Sequence, residues 1–133
     1  MPPTSYRNES PTVILAVEDV PLNLALLHAI LDPAGYIVRD TRTLAEARAW
    51  VRNAVPALVL LDVRLPDGNG LDLARELRSV NATATVPILA ISASVLPGER
   101  ADAMQAGCDA FLPKPLRPHE LLGQVHDLLH PTS

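Results

Sequence analysis

The chain has a single cysteine, Cys108, among its 133 residues, so no internal disulfide can brace it. That thiol reads as a small packed group rather than a redox switch. Basic residues are outnumbered: 11 Lys and Arg against 15 Asp and Glu give a formal net charge of -4. Nucleic acid is therefore disfavoured as a partner, because phosphate binding needs a basic face. No apolar run approaches the roughly 18 residues of a membrane span, and the opening stretch MPPTSYRNESP lacks the apolar segment of a signal peptide. Aromatics are only 3% of the chain, and Trp50 and Phe111 are expected to be packing groups first. The four histidines, His28, His119, His126 and His130, show no zinc-like spacing. What remains is aliphatic: hydrophobic residues reach 48%, enough for one core, and the length fits one domain. The expectation is a soluble cytoplasmic protein with no membrane contact.

Proline is the exception to this scarcity, and the 13 prolines fall mostly between apolar segments. Residues 1–11 are polar and hold three prolines, and are expected to be a disordered lead-in to a folded domain at 12–130, with no output domain. Within the domain, Thr12–Val17, Ala57–Leu61 and Pro87–Ile91 are apolar runs suited to strands buried on both faces, with shorter strands at Tyr36–Asp40 and Ala110–Leu112. Helical spacing follows each one, at Leu22–Ala34, Leu44–Asn53, Leu71–Val80, Gly98–Ala106 and Pro118–His130. Thr43 and Glu46 match a capping box, Gly107 a helix stop, and Pro33 should weaken or end the first helix. Five β-α pairs predict an α/β fold with a parallel sheet covered on both faces.

In such a sheet, ligands bind beyond the carboxyl ends of the strands. Glu18 and Asp19 follow the first strand, Asp62 the third, Ser92 the fourth and Lys114 the fifth. Three carboxylates, a hydroxyl and an ammonium therefore meet at one end. Converging carboxylates repel, and a divalent cation relieves the repulsion. Oxygen-only ligands suit Mg2+, with Mn2+ as the alternative. Beside a metal, a carboxylate can act as a nucleophile and form an aspartyl phosphate. Lys114 and the Ser92 hydroxyl would then serve the phosphoryl oxygens.

The motifs V-E-D at Val17–Asp19, L-L-D-V-R-L-P-D-G-N-G at Leu60–Gly70, I-S-A at Ile91–Ala93 and K-P at Lys114–Pro115, in this order and spacing, resemble the receiver domains of bacterial response regulators. E-D-V-P-L-N-L (Glu18–Leu24) and A-G-C-D-A-F-L-P-K-P-L (Ala106–Leu116) look most like free-standing receivers of the DivK type and the receivers of hybrid histidine kinases. The resemblance implies a flavodoxin-like (βα)5 doubly wound sheet of order 2-1-3-4-5. It implies that Asp62 is the phosphoacceptor and that Glu18 and Asp19 form the acidic pocket, Asp19 as a direct metal ligand and Glu18 more through water. It further implies the Arg64 backbone carbonyl as a metal ligand, Ser92 and Phe111 as a switch pair, Lys114 as the phosphoryl partner, and a cis Lys114–Pro115 bond. The phosphodonor would be a histidine kinase or histidine phosphotransfer protein, and output would pass to a downstream protein, from a monomer or a phosphorylation-sensitive homodimer. Val20 departs from the Asn common in close relatives, and Arg64 and Ser94 occupy positions where such receivers tune dephosphorylation.

Competing readings have specific requirements. A haloacid-dehalogenase-type phosphatase also uses an Asp nucleophile, but after the first strand and in a D-x-D pattern that Asp62-Val63-Arg64 does not match. A flavodoxin-like mononucleotide binder needs a phosphate loop where Glu18 and Asp19 would repel the ligand. A phosphate-independent pseudo-receiver usually loses the acceptor or the lysine, and both are present. Asp67, Gly68, Asn69 and Gly70 read as a turn entering a helix. The first helix carries surplus apolar residues beyond a core face of Leu27, Ile30, Leu31 and Ala34, so Leu22 and Leu24 are expected to form a docking surface for the phosphodonor.

Overall fold

The computed structural model describes residues 11–93 and 96–131. The expected lead-in at 1–11 falls on residues 1–10 apart from Pro11, and these residues, like Ser94, lie outside the described ones. The apolar runs become the strands of a five-stranded sheet: β1 (Val13–Val17), β2 (Ile37–Thr41), β3 (Leu58–Asp62), β4 (Ile88–Ser92) and β5 (Ala110–Pro113). All neighbours pair in parallel, in the order β2-β1-β3-β4-β5. Side chains alternate across each strand with period two. Ile14, Ala16, Leu58, Leu60, Leu89 and Ile91 thus pack on one face, under α1 (Pro21–Leu31) and α5 (Pro118–Leu129). Leu15, Val17, Val59, Leu61, Ile88 and Ala90 pack on the other, under α2 (Leu44–Asn53), α3 (Gly70–Ser79) and α4 (Glu99–Gln105). Each fully buried leucine or isoleucine contributes roughly 1.5–3 kcal/mol relative to exposure.

The helix ends differ from expectation in physically readable ways. α1 stops at Leu31, three residues short of Ala34. Pro33 has no N–H to continue the ladder, and the chain turns through Gly35, whose φ of 96° favours glycine. Ala34 is therefore exposed, and the core face of α1 is Leu24, Leu27, Ile30 and Leu31. At α2 the Thr43 hydroxyl accepts the Glu46 N–H at 3.0 Å. The Glu46 carboxylate accepts the Arg42 N–H at 2.9 Å, one residue before the partner a capping box would choose. Cys108 is buried, and burial pushes its thiol up to about 11, which agrees with a packed, unreactive group.

Two connections were not anticipated. The turn after β3 forms a short antiparallel ladder, Arg64–Leu65 against Gly68–Asn69. From it the Asp67 carboxylate accepts the N–H groups of Leu44 at 2.9 Å and Ala45 at 3.1 Å, at the start of α2. The Leu44 N–H is the main reason that carboxyl lies below its ordinary range. Asn69 caps α3 by accepting the Leu71 N–H at 2.8 Å. At the opposite end of the strands, the Arg78 guanidinium donates to the carbonyls of Val86 at 2.7 Å, Gly107 at 2.9 Å and Ala84 at 3.2 Å, and to Asp109 Oδ2 at 2.8 Å. It binds the end of α3 to the loops before β4 and β5. A Cβ at Gly107, where φ is 105°, would press on the Arg78 side chain.

Arg78→Ala leaves several half-buried carbonyls without a donor. It should cost about 2–4 kcal/mol, read as a lowered urea midpoint with an unchanged slope. A loss below about 0.5 kcal/mol would show that water replaces the guanidinium.

Candidate functional site

The carboxyl ends of the strands deliver the polar residues to one corner. Asp62, the last residue of β3, is paired in register with Ile91, and Ser92 follows on β4, paired with Pro113 of β5. The Lys114 N–H donates to the Ser92 carbonyl at 2.8 Å, which fixes where the lysine leaves β5. Its bond to Pro115 is cis. The Glu18 N–H donates to the Thr41 carbonyl at 3.0 Å, so β2 holds the start of the acidic pocket.

Within this corner, the Lys114 ammonium donates to Asp62 Oδ2 at 3.0 Å and lies 2.8 Å from Glu18 Oε1. Glu18 Oε2 accepts the Val20 N–H at 3.0 Å, and Asp62 Oδ1 accepts the Arg64 N–H at 3.1 Å. Both carboxylates are buried, and so is Ser92. Burial pushes the Asp62 carboxyl above its usual range. The Glu18 charge adds to that push, while the Arg64 N–H and Lys114 pull against it. For Lys114, burial would lower the ammonium, yet its bonds to Glu18 and Asp62 outweigh burial and hold it above the ordinary lysine range.

Glu18, Asp19 and Asp62 each present an oxygen within 4.8 Å of the others. One ammonium against three carboxylates leaves an excess of negative charge in a largely buried space. An all-oxygen set of this charge fits a hard divalent cation such as Mg2+. The residues present therefore suit the metal.

The remaining expected residues are placed less uniformly. Leu22 is 77% exposed at the start of α1, beside the acidic pocket, and is free for contact. Leu24 is not: it is 4% exposed and packs in the core under α1. Two residues on from Leu22, a helical position turns by about 200°, which sends Leu24 to the buried face. It is removed from the docking surface. Phe111, expected as the switch aromatic, is 8% exposed and packed with Ala90, Ala103 and Cys108, so its ring lies inward.

Several residues escaped the sequence reading. A Cβ at Gly70 would overlap the Asp62 carbonyl oxygen, so glycine is needed for the loop to close against the end of β3. Arg100 places its guanidinium 5.5 Å from the centre of the Phe111 ring. Glu99 is mostly buried and faces Arg64 across a cleft beside Asp62. The G-N-G spacing hinted at the first; nothing in the sequence marked the other two.

The family model for the response regulator receiver domain matches residues 14–126. The chain belongs to that family. This receiver is 31% identical over 106 residues to the polar-differentiation response regulator DivK of Brucella anthropi, covering 80% of this chain and 86% of DivK. It also matches the structure of a putative response regulator from Chloroflexus aurantiacus, with a TM-score of 0.86, 31% identity, and coverage of 90% of this chain and 98% of that one. The receiver domain of the Pseudomonas aeruginosa sensor histidine kinase PA1611, with a magnesium ion coordinated in its active site cleft, matches with a TM-score of 0.83 and 32% identity, over 90% of this chain and 98% of that one. Receivers of this family act in two-component signalling as phosphoacceptors rather than as general enzymes; they bind Mg2+ and interact with histidine kinases and downstream targets. The phosphatase and mononucleotide readings fall away with that membership. Among the described residues no helix is long and apolar enough to cross a membrane.

Mg2+ should raise the melting temperature by mass action. Asp19→Asn should weaken the ion's binding by at least about tenfold in a calorimetric titration. Unchanged affinity in that variant would place the ion elsewhere.

Proposed function

We propose that Asp62 accepts a phosphoryl group from a phosphohistidine on a histidine kinase or histidine phosphotransfer protein, in the cytoplasm, and that the aspartyl phosphate alters contacts with a downstream protein. The observation that carries this reading is the Lys114 ammonium held between Asp62 and Glu18 in a buried, three-carboxylate corner. A carboxylate made costly by burial is more reactive than a solvated one. In transfer, an Asp62 oxygen forms a bond to phosphorus as the P–N bond to the donor imidazole breaks, and that nitrogen keeps the electron pair. Lys114 is within reach of the acceptor oxygen and meets charge on the transferring group. The Arg64 N–H fixes the other Asp62 oxygen and so orients the carboxylate. Mg2+, or Mn2+ in its place, would be held by Glu18, Asp19, Asp62 and the Arg64 carbonyl, and when bound supplies positive charge for the phosphoryl oxygens. Ser92 and Phe111 would form the switch. Because Phe111 is already buried, phosphorylation is expected to hold it inward rather than to draw it in. Intrinsic autodephosphorylation by water would reset the site.

Leu22 supports a docking role for the start of α1. It follows the acidic pocket closely in the chain, so a partner resting on it would sit near Asp62.

Acetyl phosphate with Mg2+ should add one base-labile phosphoryl group, and Asp62→Asn should abolish it, as read by intact-protein mass. Full labelling of that variant would refute the acceptor assignment, and no labelling of the wild type would favour a phosphate-independent receiver.

Leu22→Glu should slow transfer from the cognate kinase by about tenfold or more while leaving acetyl phosphate labelling nearly unchanged. An unaltered kinase rate would remove Leu22 from the interface. Leu24→Glu, by contrast, should impair both reactions, because it places a charge in the core.

A further inference from the structure

Arg64 is tied to Asp62 through its backbone, while its side chain, 66% exposed, extends to Glu99 Oε2 at 3.8 Å. That distance is beyond hydrogen-bond reach, so charge alone holds the pair. Glu99 is the more fixed member. Its side chain is 12% exposed, and its Oε1 is buried with no hydrogen-bond partner. A buried carboxylate oxygen without a donor is costly and draws a nearby cation. The neighbouring Arg100 is turned to the Phe111 ring and carbonyl. Arg64 is the guanidinium that faces Glu99, across a cleft of about 530 Å³ bounded by Val63, Leu65, Asn69 and Asp102.

Taking Asp62 as the phosphoacceptor, we propose that Glu99 is a positioning residue: it holds the Arg64 guanidinium on the α4 side of this cleft, off the phosphoryl group, and so shortens the lifetime of the aspartyl phosphate. Phosphorylation puts about two negative charges beside the Arg64 backbone, and the guanidinium then has two anions to choose between. In hydrolysis a water oxygen bonds to phosphorus while the P–O bond to Asp62 breaks. The electron pair returns to the Asp62 carboxylate, and both water protons leave on inorganic phosphate. An arginine contacting the transferring group accelerates reaction when the attacking water keeps its in-line place, so the sign is set by where the guanidinium lies. This guanidinium covers the open side from which water must approach. Engagement of Arg64 therefore protects the phosphoryl group, and Glu99 opposes that engagement.

The test follows the decay of phosphorylated mass after labelling with acetyl phosphate and transfer into donor-free Mg2+ buffer. Glu99→Gln keeps the shape and removes the charge; the lifetime is expected to lengthen about threefold, the scale of one exposed ion pair. In an Arg64→Met background the same change is expected to leave the lifetime unaltered, which a merely structural role of Glu99 would not produce. An unchanged or shortened lifetime in Glu99→Gln, or the same lengthening in both backgrounds, overturns the role of Glu99 and leaves Asp62 as acceptor. A wild-type protein that takes no label overturns the acceptor reading, and this inference with it.

Discussion

The ammonium of Lys114 is the contact on which the functional end of the molecule depends. It lies between two buried carboxylates, 2.8 Å from Glu18 and 3.0 Å from Asp62. Without a cation there, two like charges would repel each other in a low-dielectric corner. The scaffold is arranged around keeping that ammonium in place. β5 pairs with β4, the Lys114 N–H is fastened to the Ser92 carbonyl, and the chain leaves the strand directly into the cis bond to Pro115. Side-chain reach then does the rest, because Asp62 ends the strand on the other side of β4.

The same corner explains why so polar a site can be built on so aliphatic a sheet. Every strand that contributes to it is apolar up to its last residue, and the change to Glu18, Asp62 and Ser92 comes where the sheet gives way to loops. Backbone donors complete the arrangement: the N–H groups of Val20 and Arg64 each satisfy a carboxylate oxygen two residues earlier. At position 20 the group in use is therefore the main-chain N–H, and the valine side chain takes no part in that bond.

Much of this was legible in the sequence, for a simple reason. Strands buried on both faces must be continuously apolar, and the polar residues that interrupt them must then lie at their ends, so Glu18, Asp19, Asp62, Ser92 and Lys114 could be placed from the pattern alone. Boundaries were read less well, as at α1, where the spacing suggested a helix to Ala34 but the ladder stops at Leu31, ahead of Pro33. Leu24 was misplaced because α1 is apolar on more than one side and its pattern does not say which leucine faces the core. Asp67, Arg78, Glu99 and Arg100 were not legible as contacts. Apart from nearby carbonyls, such as those of Ala84 and Val86, that Arg78 also reaches, their partners lie 11 to 35 positions away in sequence, and only the three-dimensional packing pairs them.

Asp67 gives the loop after β3 a lopsided compliance. Toward α2 the loop is stapled, since one carboxylate takes two N–H groups from the first turn of that helix, and Gly70 closes it against the backbone of Asp62 itself. Toward α4, among the described residues, it is joined by a long ion pair across open space. Strain introduced at Asp62 will therefore spread unevenly, and the α2 flank will act as the abutment. The give in the structure lies on the α4 flank, where the Phe111 ring and its covering guanidinium also sit.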